Sequence, residues 1–277
     1  MSPESKPRIR RFTPIQRIFH LLLIVFFLTQ GMTGLARMYI ETPWGKMLAW
    51  IFGGYEAALF MHKLVGILML CGFGVYILYL LFGINWKRFP GCLFSPESLV
   101  PQPRDIKDFF QHVGWFFRIT EAPPFDRWGY WEKFDYWAVF WGIPLLGITG
   151  LLLADPIFAS RIVPGWILNV VLWIHRIEAI LAMAHIFIIH FFVAHFRRHN
   201  FPMDRTMFEG SADFDAVRHE RPAWIERLKL DGTLETALVA EAKIGQRILY
   251  YAFGYAAVAT GIFLLIGAIL NAPDITW

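Results

Sequence analysis

Charge is scarce in this sequence of 277 residues: 17% are Asp, Glu, Lys or Arg, where a soluble domain carries about 25%. Cysteine is scarcer still. Cys71 and Cys92 are the only two and lack C-x-x-C spacing, which excludes a disulfide framework, a zinc ribbon and an iron–sulfur centre. No C-x-x-C-H run occurs, so covalent haem attachment is excluded as well. Acidic residues are nearly missing from the apolar stretches, where Glu178 stands almost alone. No phosphate loop, catalytic nucleophile or nucleic-acid surface stands out.

What is there is apolar and comes in blocks. Hydrophobic residues make up 56% of the chain, and the mean hydropathy is +0.45. A membrane-crossing helix needs about 20 mostly apolar residues. Five runs qualify: Ile15–Leu35, Tyr55–Phe82, Phe134–Ala154, Val163–Phe196 and Ile248–Leu270. The first follows a basic N-terminus. It is long for a signal-peptide core and no clear cleavage site follows, so it reads as an uncleaved span. The expected fold is an all-α membrane protein, a four-helix transmembrane bundle with a fifth transmembrane helix. Its divisions are 1–200 (bundle), 201–245 (connecting segment) and 246–277 (fifth helix and C-terminus).

Lys and Arg set the orientation. They crowd the N-terminal tail (Lys6, Arg8, Arg10, Arg11, Arg17) and the connections between spans two and three and between spans four and five. The other two loops hold little beyond Arg37, Lys46 and Arg161. The positive-inside rule then places the N-terminus in the cytoplasm and the C-terminus in the periplasm, in a bacterial inner membrane. Two stretches of the inner connections, FFQHVGWFFRIT and RPAWIERLKL, mix aromatics with charge. Each fits a helix in the interface plane, or a solvated helix packed on a partner subunit.

An internal repeat is visible. GMTGL (Gly31–Leu35) follows His20 at the offset at which GITGL (Gly147–Leu151) follows Tyr136, and HKLVGI at His62 matches HRIEAI at His175. The first four spans thus read as two related helical pairs.

The histidines follow this plan. His20 lies at the inner end of span one and His62 at the outer end of span two. His175 and His190 lie fifteen residues apart on span four, a rise of about 22 Å with an angular offset of about 60° in a straight helix. One helix therefore offers an imidazole near each membrane surface. His62 completes an outer pair and His20 an inner pair, an arrangement that suits two stacked bis-histidine b haems, with these four residues as iron ligands. Gly31, Gly34, Gly147 and Gly150 allow close approach of a flat cofactor; helix packing alone accounts for them equally well. In a straight helix His185 and His195 point away from this face. His185 reads as a helix–helix hydrogen-bonder. His195 reads as a group at the inner boundary, or as part of a quinone pocket. His112, His199 and His219 lie in hydrophilic sequence and read as solvated.

These residues resemble the dihaem cytochrome b subunits of formate dehydrogenases, nickel–iron hydrogenases and thiosulfate reductases. The resemblance spans about Arg11 to Asp204 and rests on RFTPIQRIFH, MHKLVG, WEKFDYWAVFWGIPLLGITGLLL, and the His175…His190 helix followed by RRHNFPMD. It implies two haem b and the same four ligands, with quinone as substrate where helix three begins, at Tyr130–Lys133. It further implies Glu132 or Asp135 as the proton-exchanging carboxylate, Lys133 on a haem propionate, and Arg17 and Arg37 neutralising propionates on the inner and outer sides. The expected partner is a periplasmic redox subunit, an iron–sulfur protein or a multihaem cytochrome c. The expected function is electron passage between that subunit and quinone. The rivals are a histidine-rich metal-ion transporter, a non-redox membrane anchor and a self-contained ascorbate-type reductase.

Overall fold

The computed structural model describes residues 7–197, 200, 201 and 203–275. Lys6, Arg198 and His199 lie outside them. The helices are α1 (Pro14–Met38), α2 (Pro43–Ile51), α3 (Tyr55–Gly83), α4 (Pro103–Phe116), α5 (Tyr130–Ala154), α6 (Pro156–Ala159), α7 (Gly165–Phe196), α8 (Thr206–Glu209), α9 (Phe214–Glu220), α10 (Pro222–Leu230), α11 (Leu234–Ala237) and α12 (Ile244–Leu270). Three short strands join them: β1 (Arg8–Arg10), β2 (Ser211–Asp213) and β3 (Leu238–Val239). Among the described residues five helices, α1, α3, α5, α7 and α12, are long and apolar enough to cross a membrane, and they coincide with the five apolar runs to within a few residues.

The caps are written locally. Thr42 accepts from the Gly45 N–H at 3.0 Å and is followed by Pro43 in the first turn of α2. Asp105 reaches back to the Gln102 N–H at 2.6 Å at the start of α4. α7 is α-helical through Ala184 and then widens into π-helical turns over His185–His190 and Phe192–Phe196. Nothing in the apolar periodicity foretells this, because a π turn uses the same side chains as an α turn.

The chain forms two compact units. One comprises Ile18–Leu78, Trp141–Asp204 and Tyr251–Trp277. Its buried core includes Leu35, Ala36, Leu48, Ala49, Phe187, Phe191 and Leu264. The C-terminal part of α12 is integral to this core. A Cβ on Gly261 would come within 2.6 Å of the Phe191 ring, and one on Gly267 within 2.2 Å of the Trp44 ring. The Tyr39 hydroxyl donates to the Ala268 carbonyl at 2.9 Å; burial pushes that phenol above its ordinary pKa.

The other unit comprises Met1–Arg17, Tyr79–Phe140 and Arg205–Tyr250. Here β1 is the centre of a three-stranded antiparallel sheet in the order β2-β1-β3. Ile9 is wholly buried against Val217, Trp224 and Ile225. The apolar side of α10 is therefore covered by its own chain, not by lipid or a partner. Its sequence could not reveal this, because the strand that covers it lies about two hundred residues upstream. Ion pairs hold the unit together. The Glu209 side chain, fully buried, meets Arg8 at 2.9 Å and Arg205 at 3.0 Å. Arg227 meets Asp126 at 2.7 Å, and that bond raises the guanidinium pKa.

Candidate functional site

Within the first unit the helices bring the four central histidines together two by two. The His62 and His175 rings have centroids 6.2 Å apart, and the His20 and His190 rings 6.4 Å. Two imidazoles binding one metal ion from opposite sides, each through a bond of about 2 Å, have ring centres about 6 Å apart. Both pairs therefore match the spacing of two imidazoles that would share one metal ion. Among the described residues no group of three or more His, Cys, Asp or Glu converges.

At His62 and His175 the repeat becomes chemistry. The Thr33 hydroxyl lies 2.9 Å from His62 Nδ1, and the Thr149 hydroxyl lies 2.9 Å from His175 Nδ1. Each threonine already donates its proton to the carbonyl one turn back, Thr33 to Thr29 and Thr149 to Leu145, both at 2.7 Å. Toward the imidazole each hydroxyl is thus an acceptor. This assigns the ring proton to Nδ1 and leaves the Nε2 lone pair for a metal. The next residue in each repeat is a glycine at the ring edge. A Cβ on Gly34 would lie 3.4 Å from His62 Cε1, and one on Gly150 3.3 Å from His175 Cε1. The donor set and this cradle fit a haem. Gly31 and Gly147 serve packing instead: Gly31 faces Leu264 and Met183, and Gly147 faces Leu70. Thr33 and Thr149 escaped the sequence reading, although the shared Thr of GMTGL and GITGL was its visible signal. Arg37 stands exposed in the last turn of α1, three residues after Gly34.

The His20–His190 pair is built differently. His190 lies in the widened part of α7. A π-helix bonds residue i to i+5, so residues five apart come one above the other. The His195 ring accordingly lies 6.2 Å from that of His190, where a straight α-helix would turn it away by about 140°. His195 Nδ1 is buried and makes no hydrogen bond among the described residues.

In the second unit the remaining candidates are already engaged. Glu132 takes Arg11 at 2.7 Å, Arg221 at 3.0 Å and the Gly129 N–H at 2.8 Å. Lys133 is buried and paired with both oxygens of Asp105 at 2.9 Å. Arg17 donates to the Phe208 carbonyl and lies 3.4 Å from the Tyr250 hydroxyl. These three residues hold the N-terminal segment and the first turn of α5 in place. Asp135 follows Glu132 by three residues on α5 and is half-buried. His112 is not solvated as its sequence suggests. Its Nδ1 lies 3.1 Å from the Tyr130 hydroxyl, among Trp115, Phe125 and Trp131.

None of the curated proteins compared with the chain matches it. The model of one family does: residues 11–210 match the prokaryotic cytochrome b561 family. That stretch contains all four paired histidines and both GxTG repeats, and the chain accordingly belongs to the prokaryotic cytochrome b561 family, as a multi-pass membrane cytochrome that binds haem b and carries electrons.

Proposed function

We propose that the chain is the membrane cytochrome b subunit of a respiratory redox complex, passing electrons between a periplasmic redox subunit and the quinone pool. Two haem b are held per chain, one by His62 and His175, the other by His20 and His190. The observation that carries this reading is the pair of 6.2 and 6.4 Å imidazole separations, each made by one histidine of α7 with one from α3 or α1. When bound, the haems supply reversible one-electron transfer. His20, His62, His175 and His190 would hold them, with Thr33 and Thr149 fixing the ring tautomer and raising imidazole basicity at the His62–His175 pair. Arg37 offsets propionate charge beside that pair. His195, half-buried beside His190 with its Nδ1 enclosed, is the group that exchanges a proton with quinone at the His20–His190 pair.

The Lys and Arg distribution supports a bacterial inner-membrane protein with a cytoplasmic N-terminus and a periplasmic C-terminus. Quinone chemistry then belongs to the cytoplasmic side, and the redox partner, an iron–sulfur protein or a multihaem cytochrome c, to the periplasmic side. A metal-ion transporter is less well supported, since the spans offer essentially Glu178 as carboxylate.

The test is direct. The purified oxidised chain in detergent is mixed with a short-chain quinol, and the α-band of reduced b haem is followed. Reduction within the dead time of manual mixing, slowed in His195→Gln, supports the conduit. A chain that keeps its haems but takes no electrons from any quinol is a membrane anchor, and the proposal fails.

A further inference from the structure

The helix α4 wears its faces inside out. Asp105, Asp108 and His112, spaced i, i+3 and i+7, form a polar stripe turned toward the protein. Asp105 holds Lys133, His112 meets the Tyr130 hydroxyl at 3.1 Å, and Asp108 is buried. The opposite side is apolar and bare. Ile106 is 63% exposed, Phe110 66% and Phe117 65%, and Ile119 just beyond the helix 77%; Phe116, also exposed, ends the helix four residues after His112, on the side of the polar stripe. A helix facing water carries the reverse pattern, and a contiguous bare apolar surface marks an interaction site.

Three observations identify the occupant. Tyr130 and Lys133, the residues that α4 grips, are in the first turn of α5, a helix long enough to cross a membrane. The apolar face therefore lies at the end of a span, where bilayer and water meet. Exposed cations rim it: Arg104, Lys107 and Arg118. The exposed turn after α3 repeats the mixture, with Trp86 and Phe89 beside Lys87 and Arg88. Aromatic rings together with Lys and Arg make up the composition of a membrane-interface anchor. The cations complement anionic headgroups.

We propose that α4 lies in the plane of the membrane interface, with Ile106, Phe110 and Phe117 among the acyl chains and Arg104, Lys107 and Arg118 on the phosphates of anionic lipids. The polar stripe fastens this anchor to the start of α5. The inference stands apart from the redox reading, because it needs only that the chain crosses a membrane.

The test uses the full chain in vesicles of phosphatidylcholine with phosphatidylglycerol. In a Cys71→Ser, Cys92→Ser background, a cysteine is placed at Phe110→Cys on the bare face and, as a water-facing reference, at Glu226→Cys on α10. Each carries an environment-sensitive fluorophore. Brominated lipids are expected to quench the label at 110 several-fold more than that at 226, and aqueous iodide the reverse. Adding Arg104→Glu, Lys107→Glu and Arg118→Glu should cut the lipid quenching at 110 in these vesicles, with little effect in phosphatidylcholine alone. Iodide quenching at 110 equal to that at 226 would overturn the proposal. So would shielding from both reagents, which would mean that a protein surface covers the face. Charge reversal without effect would remove the anionic headgroup from the account.

Discussion

At His62 and His175 the imidazoles stand against regular α-helix, each with a threonine hydroxyl at 2.9 Å and a glycine at its edge, whereas at His20 and His190 one helix widens into π turns and brings a third imidazole within 6.2 Å. The ring spacings are nearly equal, 6.2 and 6.4 Å. The first pair is a symmetric product of the internal repeat, fixed on both sides by a hydroxyl and a glycine. The second draws on α1 and α7 with no such symmetry and places a third, half-buried imidazole next to His190. A site that only relays electrons gains from rigidity. A site where electrons meet protons gains from an added acid–base group, and π turns recur where a helix must re-aim a functional side chain.

Several substitutions would break this contrast. The largest effect belongs to Gly150→Leu. Its side chain meets the His175 ring, where even a Cβ would lie at 3.3 Å. The bound haem should fall from two per chain to one, read by pyridine haemochrome, with the His20–His190 component untouched. Next comes His195→Gln, which should keep both haems and slow quinol-driven reduction about a hundredfold. Full-rate reduction would remove His195 from proton exchange.

Gly261→Leu drives a side chain into Phe187 and Phe191. Overpacking of this kind costs about 1–3 kcal/mol, so the thermal midpoint should drop, and the spectrum of the neighbouring His190 haem should change more than that of the other. Thr33→Val or Thr149→Val removes the acceptor from an axial ring. A hydrogen bond of this kind contributes about 1 kcal/mol, and its loss makes the ligand less basic. The potential of that one haem should rise by a few tens of millivolts, with Thr→Ser restoring it.

The smallest effect is at Asp108. Burial pushes its carboxyl above the ordinary range. Its contribution to stability is therefore fully present below the ordinary carboxylate pKa and is lost as pH rises through the folded value. Asp108→Asn should flatten this part of the pH profile of thermal stability and leave the chain no less stable at neutral pH.

Much of this was legible from the sequence, for physical reasons. Long apolar runs have few alternatives to a spanning helix, so the sequence marks α1, α3, α5, α7 and α12 to within four residues at either end. A histidine in such a run needs a reason, and helical rise alone sorted His20, His62, His175 and His190 into two pairs. Other features hid where local sequence is silent. The β1 strand is three residues long, and its partners lie about two hundred positions away, so neither the sheet nor the burial of Trp224 on α10 had a local signature. Thr33 and Thr149 were printed in the repeat, but threonine inside a helix reads as packing until its ring partner is seen. The π turns of α7 leave no mark on periodicity, and they alone bring His195 to His190. Glu132 and Lys133 looked poised for chemistry because charge at a helix start is conspicuous; their partners Arg11, Arg221 and Asp105 come from distant parts of the chain.

The most direct test is a haem count on the chain and on its His20→Ala, His62→Ala, His175→Ala and His190→Ala variants, with reduced-minus-oxidised spectra of each. Two haem b are expected in the unaltered chain and one in every variant. The His62 and His175 variants should lose the same spectral component, and the His20 and His190 variants the other. Retention of both haems in any of the four, or loss of a haem from His185→Ala instead, would contradict the ligand pairs on which the whole reading stands.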